Sequence, residues 1–307
     1  MRTVLITGAS GFIGRQCLPI LAANGYAVQA VSRFPIPEVE LPGVTWNEGS
    51  LLEPGFTTRL INRLQPDYLL HLAWYPASPG KFWSAPDNLR WVTTSLELFD
   101  AFRERGGKRL VAAGSCAEYG LIEGECDEDK AQLLPTTLYG VSKHCVGNVL
   151  HAWSQQTHLS SAWARIFQLY GPAENPARVI PYVVRSLLRN QPAGCSQGTQ
   201  IVDFLYAEDA ASALIALLDS DVQGPVNVGS GKPLPLRTIL EEVGTQTGRP
   251  HLIRFGERDS VHHVGGIWAN TTKLIENTPW KQRYALTEGI AKTIAWWKRD
   301  LGLDHGV

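Results

Sequence analysis

The chain of 307 residues is 44% hydrophobic and 19% charged, enough apolar content for a full core in one large domain or two intimate ones. A formal net charge of -1 offers no broad positive field to nucleic acid or an anionic membrane, so an anion must be held by local geometry, which argues for a small-molecule partner. The cysteines Cys17, Cys116, Cys126, Cys145 and Cys195 show no CxxC or zinc-like spacing, and the apolar stretch after Met1 lacks a basic leader or a bilayer-spanning run; this reads as a soluble cytoplasmic protein with reduced thiols.

Short apolar runs alternate with helical patterns along the first half. "TVLITG" predicts a strand, followed by a helix from about Phe12 to Ala23 that Gly25 closes as a C-cap. "AVQAV" predicts a second strand and then a Pro/Gly-rich loop; "PDYLLHLA" a third, followed by a helix from about Asp87 to Arg105; and "KRLVAAGS" a fourth. A helix beginning near Leu138 leads into the strand "SSAWARIF". Such alternation marks βαβ units around a parallel sheet covered by helices on both faces, an α/β class. From about Gln168 the rhythm becomes irregular, with helices from Val179 to Arg189 and Leu236 to Thr247 and the strand-like pieces "IVDFLY" and "PVNVG". Residues 1–167 therefore read as the sheet domain, and 168–307 mainly as a smaller lobe over the ligand, with some segments returning to the sheet. The aromatic run in "IAKTIAWWKRDLG" reads as the packed face of the last helix.

Gly8, Gly11 and Gly14 follow a strand and open a helix, the context that makes a glycine pattern a dinucleotide signal. Glycine permits a tight turn and close phosphate approach, while the helix amides and positive dipole end receive the charge. On this reading Ser10, Phe12, Ile13 and Arg15 join the glycines around the cofactor. A carboxylate at the end of the second strand would bind the ribose 2'-hydroxyl of NAD, whereas an arginine accommodates a 2'-phosphate. This strand ends in Ser32 and Arg33, with Arg15 just after the last glycine, so NADP(H) is favoured, with NAD possible. The competing reading makes both arginines solvated surface charges.

Tyr139 and Lys143, four residues apart, share one face of a helix. An ammonium near a phenol favours the phenolate and lowers its pKa toward neutrality, which suits a general acid or base acting on a carbinol or ketone. Ser115, at the end of a strand of the same sheet, lies where open parallel sheets bind ligands and can donate to a developing oxyanion. Its competing reading is a loop or cap serine.

Taken together, GxxGxxG, "HLA" at residues 71 to 73, a serine four residues before "YG", YxxxK, "RIFQLYGP" and "DFLYAEDAA" in that order resemble the extended short-chain dehydrogenase/reductase family of nucleotide-sugar enzymes. The resemblance covers nearly the whole chain. It implies a Rossmann-type doubly wound parallel sheet with a smaller mixed α/β C-terminal substrate lobe, and Ser115, Tyr139 and Lys143 as the triad. It also implies Lys143 on the nicotinamide ribose, Leu72 and Ala73 beside the cofactor, and a homodimer packed through the helices that contain Ser95 and Tyr139.

Departures from the family narrow the reaction. Where the 4,6-dehydratases of the family carry an Asp-Glu pair, this chain has Cys116 and Ala117, so water removal lacks its proton carriers. Cys116 stands one residue early for the epimerising cysteine of GDP-fucose-synthase-like relatives and reads as packing, with substrate contact as the alternative. Trp74, Tyr75, Phe82 and Trp83 form either a wall against the sugar or the buried side of their own loop. Trp91 replaces an asparagine that braces the active-site helices in relatives. Val202 stands where relatives have an arginine on the diphosphate, and Gln168 where they have an asparagine. Arg258 matches a second phosphate-contacting arginine and Arg178 is placed to replace the lost one, each with a surface-charge reading beside it. His262 and His263 lack companions at ligand spacing, so no metal is expected. The favoured reading is an NADPH-dependent ketoreductase of a nucleotide-linked 4-keto-6-deoxy sugar. Its rivals are an NAD-retaining nucleotide-sugar epimerase and a non-catalytic dinucleotide sensor.

Overall fold

Arg2–Thr7 (β1) is the inner strand around which the sheet is laid; its last four residues are buried. The computed structural model describes residues 2–33, 41–75, 80–259 and 266–303. On one side of β1 lie Tyr26–Ser32 (β2) and then Val44–Glu48 (β3). On the other lie Tyr68–His71 (β4), Arg109–Ser115 (β5), Ser160–Ile166 (β6) and Gly224–Val228 (β7). Every pairing is parallel, and the order is β3-β2-β1-β4-β5-β6-β7. This is the Rossmann strand order extended by one strand, with its reversal between β1 and β4, where ligands of such sheets lie at the carboxyl ends of the strands. All residues of β5 are buried, the pattern a parallel sheet covered on both faces requires.

The helices are Phe12–Ala23 (α1), Phe56–Leu64 (α2), Asp87–Glu104 (α3), Leu138–Thr157 (α4), Val179–Leu188 (α5), Ala207–Leu218 (α6), Leu236–Thr247 (α7), Thr272–Asn277 (α8) and Leu286–Asp300 (α9). The alternation of side chains along a strand divides the core in two. Val4 and Ile6 of β1 pack with Leu21 of α1 and Leu214 of α6, while Leu5 packs on the other face with Leu98 and Phe99 of α3 and Val146 of α4. A third cluster joins Val183 of α5, Leu240 of α7 and Ile290 and Trp297 of α9; Trp297 is the buried ring of the last helix, as its spacing predicts. Among the described residues no helix is long and apolar enough to cross a membrane.

The sequence reading misses β3 and α2. Both are short, and the Pro/Gly-rich segments around them mask the helical spacing of Phe56, Leu60, Ile61 and Leu64, of which Leu60 and Ile61 are buried with Thr57. Gly25, read as the C-cap of α1, lies one residue past the capping Asn24 at φ +75, with its amide on Ala22 O. "IVDFLY" is two short strands, Ile201–Val202 and Phe204–Tyr206, because Asp203 between them turns inward. Its buried carboxylate accepts the amides of Ser230, Gly231 and Ala269 and the Ser230 hydroxyl, clamping the loop after β7 to the smaller lobe.

Candidate active site

The turn after β1 is shaped by its glycines. Gly8 holds φ +69, and a Cβ there would lie 2.8 Å from the backbone of Leu72 and Ala73. At Gly14 it would lie 2.2 Å from Gly8 O, so the first turn of α1 closes directly on the loop. Gly11 caps α1 without a side chain, and the first turn carries no acidic residue. The amides of Phe12 and Ile13 therefore head a helix whose positive end is left for an outside anion. Arg15 Nε donates to Ser10 O at 2.8 Å, and Ser32 Oγ donates to Ser10 Oγ at 3.2 Å, which ties the end of β2 to the cradle. Arg33 follows, exposed.

A buried relay not read from the sequence fixes the other wall. Ser95 Oγ donates to Trp91 O at 2.7 Å, so it accepts from His71 Nε2 at 3.0 Å; His71 Nδ1 then accepts from Thr7 Oγ1 at 2.8 Å. Thr7 Oγ1 in turn accepts the Ala73 amide at 3.3 Å, and Leu72 N donates to Thr7 O. Burial, with the Lys143 charge behind it, pushes His71 down to about 3, so the ring stays neutral and the tautomer constant.

At the end of β5, Ser115 caps the turn that follows. Its hydroxyl accepts the Ala117 amide at 3.2 Å, and its own amide donates to Glu118 Oε1 at 2.7 Å. Glu118 also accepts from Trp163 Nε1 at 2.9 Å and pairs with Arg165 Nε at 3.0 Å, with both charged groups buried. Tyr139 and Lys143 lie on α4, as their spacing predicts. Lys143 Nζ donates to Ala113 O at 2.7 Å and sits 3.8 Å from the centre of the Trp74 ring. Tyr139 is edge-on to Phe82, Trp83 and Trp74 at 5.1, 5.7 and 6.4 Å, and its amide donates to Trp83 O. The aromatic loop thus walls the tyrosine.

The titration of this pair differs from the reading that Lys143 lowers Tyr139 toward neutrality. Burial pushes the Tyr139 phenol up to about 12, against a hydrogen bond with Ser115 that pulls it down. Burial likewise pushes Lys143 down to about 7, opposed by Glu118. Desolvation penalises phenolate and ammonium alike, so the protein by itself drives each toward its neutral form.

Residues 4–229 match the family model described as the NAD dependent epimerase/dehydratase family. The chain belongs to this family. An Escherichia coli dTDP-4-dehydro-6-deoxyglucose reductase is 24% identical over 95% of this chain and 96% of its own length. MoeE5, solved with UDP-glucose and NAD, is 28% identical with a TM-score of 0.85, over 97% of this chain and 99% of its own. The Thermotoga maritima UDP-glucose 4-epimerase, solved with UDP-glucose, shares the fold with a TM-score of 0.89 at 21% identity, over 97% and 99% of the two chains. The dinucleotide for which the family is named fits the cradle, because Gly8 and Gly14 let the turn close tightly on β4 and α1 and the end of α1 has no side-chain cap of its own.

The residues expected on the substrate side have varied surroundings. Cys116 packs against the cluster of Tyr119, Cys126, Phe167 and Ala269, and burial pushes its thiol up to about 12, which leaves no thiolate near neutrality. Arg178, at the start of α5, places its guanidinium 5.3 Å from the centre of the Phe82 ring, beside the tyrosine wall. Arg258 instead lies 4.5 Å over the Tyr182 ring and donates to its hydroxyl at 2.9 Å. Gln168 buries an Oε1 that has no partner among the described residues. Val202 lines a cavity of ≈ 120 Å³ with Tyr170, Phe204 and Lys232. Tyr75 packs under α3 with the second core cluster.

Asn88, near the start of α3, ties the aromatic loop and Trp74 to that helix. Its amide donates to Phe82 O and Ala85 O, and its Oδ1 accepts Trp74 Nε1 at 2.8 Å. Its place one turn before Trp91 on α3 was the available signal. His262 and His263 lie outside the described residues; among those described, no group of three or more His, Cys, Asp or Glu is arranged to hold a metal.

Proposed function

We propose that this protein is an NADP(H)-dependent ketoreductase of a nucleotide-linked keto sugar, with a 4-keto-6-deoxyhexose as the first substrate to try. The observation that carries the reading is the end of β2, where Ser32 is joined to the cradle and Arg33 follows in place of the carboxylate that would receive a ribose 2'-hydroxyl. Cys116 and Ala117 support it by leaving the turn without dehydratase carboxylates. A dinucleotide bound with its pyrophosphate in the cradle would, in its reduced form, supply the hydride. Ser115 hydrogen-bonds the carbonyl oxygen, Tyr139 gives its phenolic proton to that oxygen as it becomes an alkoxide, and Lys143 stabilises the phenolate left behind. Residues from 168 onward form most of the substrate lobe, with Arg178, Arg258 and Gln168 on the nucleotide-sugar side. The assembly is a homodimer packed through α3 and α4, on which Leu89, Val141 and Val149 are exposed apolar residues.

A second reading, an epimerase that retains NAD, is favoured by the family match and by the likeness to a Thermodesulfobacterium geofontis UDP-glucuronate 4-epimerase, 26% identical over 97% of each chain. Titrating the purified protein with NADPH and NADH by nicotinamide fluorescence, after a check for bound cofactor, separates the two. NADPH binding at least about tenfold tighter, roughly 1.4 kcal/mol, supports reduction. NAD arriving with the protein, or an NADH preference, transfers the assignment to the epimerase. In either case Tyr139→Phe should abolish turnover while cofactor affinity is retained, and an undiminished rate would remove Tyr139 from the chemistry.

A further inference from the structure

We propose that Trp74 is a positioning residue for Lys143: its indole face holds the ammonium in its charged form at the foot of Tyr139, and Asn88 and Trp91 hold the indole. The inference rests on the reading of Tyr139 and Lys143 as catalytic.

Lys143 is almost wholly buried, and its Nζ has one hydrogen-bond acceptor among the described residues, Ala113 O. One neutral carbonyl is poor compensation for an ammonium removed from water. The charged or titratable groups around it are Glu118 from the turn after β5, His71 at the end of β4, and Tyr139 one turn earlier on α4. Glu118 is already engaged by Ser115 N, Trp163 and Arg165, and His71 is neutral. What lies directly against Nζ is the Trp74 ring at 3.8 Å, with the Trp163 ring farther away at 5.8 Å. A cation over the face of a desolvated indole is one of the stronger forms of this contact.

The indole is held rather than loosely placed. Its Nε1 donates to Asn88 Oδ1 at 2.8 Å, and the Asn88 amide nitrogen is itself fixed on Phe82 O and Ala85 O. Its outer face stacks on the buried Trp91 at 6.1 Å. Trp74 is also edge-on to Tyr139, so a single ring touches both members of the acid–cation pair. The segment around Phe82 and Trp83 thereby reaches Lys143 through Asn88 and Trp74, which couples the wall that would face substrate to the charge of the lysine. An asparagine at 91 would give the indole no stacking surface.

The test reads the lysine directly. In cofactor-free protein with 13C-labelled lysine, the Cε resonance of Lys143, assigned by its loss in Lys143→Met, is followed against pH in the parent, Trp74→Leu and Trp74→Phe. The midpoint should fall by about one pH unit in Trp74→Leu and by less in Trp74→Phe. A fluorinated tryptophan at position 74 keeps the shape and the Nε1 donor while weakening the ring quadrupole, and should lower the midpoint without altering the melting temperature. It serves as the variant of record if Trp74→Leu does not fold. Midpoints unmoved in the folded leucine and fluorinated proteins overturn the inference. The alkaline limb of the kcat/KM profile should move down with the midpoint. If the midpoint moves but no keto sugar is reduced, the positioning stands and the ketoreductase reading fails. If reduction occurs with the midpoint fixed, the reverse holds.

Discussion

Replacing Glu118 by alanine should be among the most damaging single changes outside the reacting groups. Its carboxylate accepts the Ser115 amide at 2.7 Å and Trp163 Nε1 at 2.9 Å and pairs with Arg165 Nε at 3.0 Å, with side-chain exposures of 4% for Arg165 and 1% for Glu118. Alanine leaves the guanidinium buried with the Tyr119 hydroxyl at 3.4 Å as its remaining hydrogen-bond partner among the described residues. Breaking one side of a buried pair costs about 3–5 kcal/mol, and two stranded neutral donors push the figure toward the upper end. For a chain of this size the loss corresponds to roughly 7 °C in melting temperature. Differential scanning calorimetry on Glu118→Ala, Glu118→Gln and the double variant Glu118→Leu/Arg165→Leu checks it. The glutamine, which retains acceptors for Ser115 and Trp163 but not the charge, should fall between. The double variant should regain much of the loss, since apolar replacement of a buried pair is often neutral. A Glu118→Ala protein melting within about 2 °C of the parent would refute the reasoning.

Glu174 gives a pH prediction. Burial raises its carboxyl from 4.5 to about 8, against the pull of Arg178 and the Gly171 amide, and its Oε2 has no hydrogen-bond partner among the described residues. The folded protein therefore holds this proton where the unfolded chain has released it, and the resulting stability, complete below 4.5, is lost as pH rises through about 8. Glu174→Gln should flatten the fall in melting temperature between about pH 6 and pH 9; superimposable curves for parent and variant would contradict it. The lowered Lys143 pKa acts in the opposite sense but is common to both proteins. For the dimer, Val141→Glu on the exposed side of α4 should shift the sedimenting species from dimer to monomer; a monomeric parent would end that proposal.

The local elements and the chemistry of the cradle were decided by the sequence itself. Gly8, Gly11 and Gly14 after an apolar run can form little else than a tight strand-to-helix turn, and the four-residue spacing of Tyr139 and Lys143 puts them on one helix face whatever surrounds them. The alternation of strands and helices likewise limited the sheet to a parallel one. Tertiary structure decided everything that depends on which distant residues meet. β3 takes its place by pairing with β2 at the edge of the sheet, and Leu60 and Ile61 of α2 find their cover in Leu98 and Phe99 of α3. Glu118 and Arg165 stand 47 residues apart and become an ion pair only when β5 and β6 lie side by side. Asn88 meets the Trp74 indole only because α3 is packed beside the end of β4. The depressed Lys143 and raised Tyr139 follow from burial, and the amount of water a fold removes from a group is a property of the packed chain that no local pattern encodes.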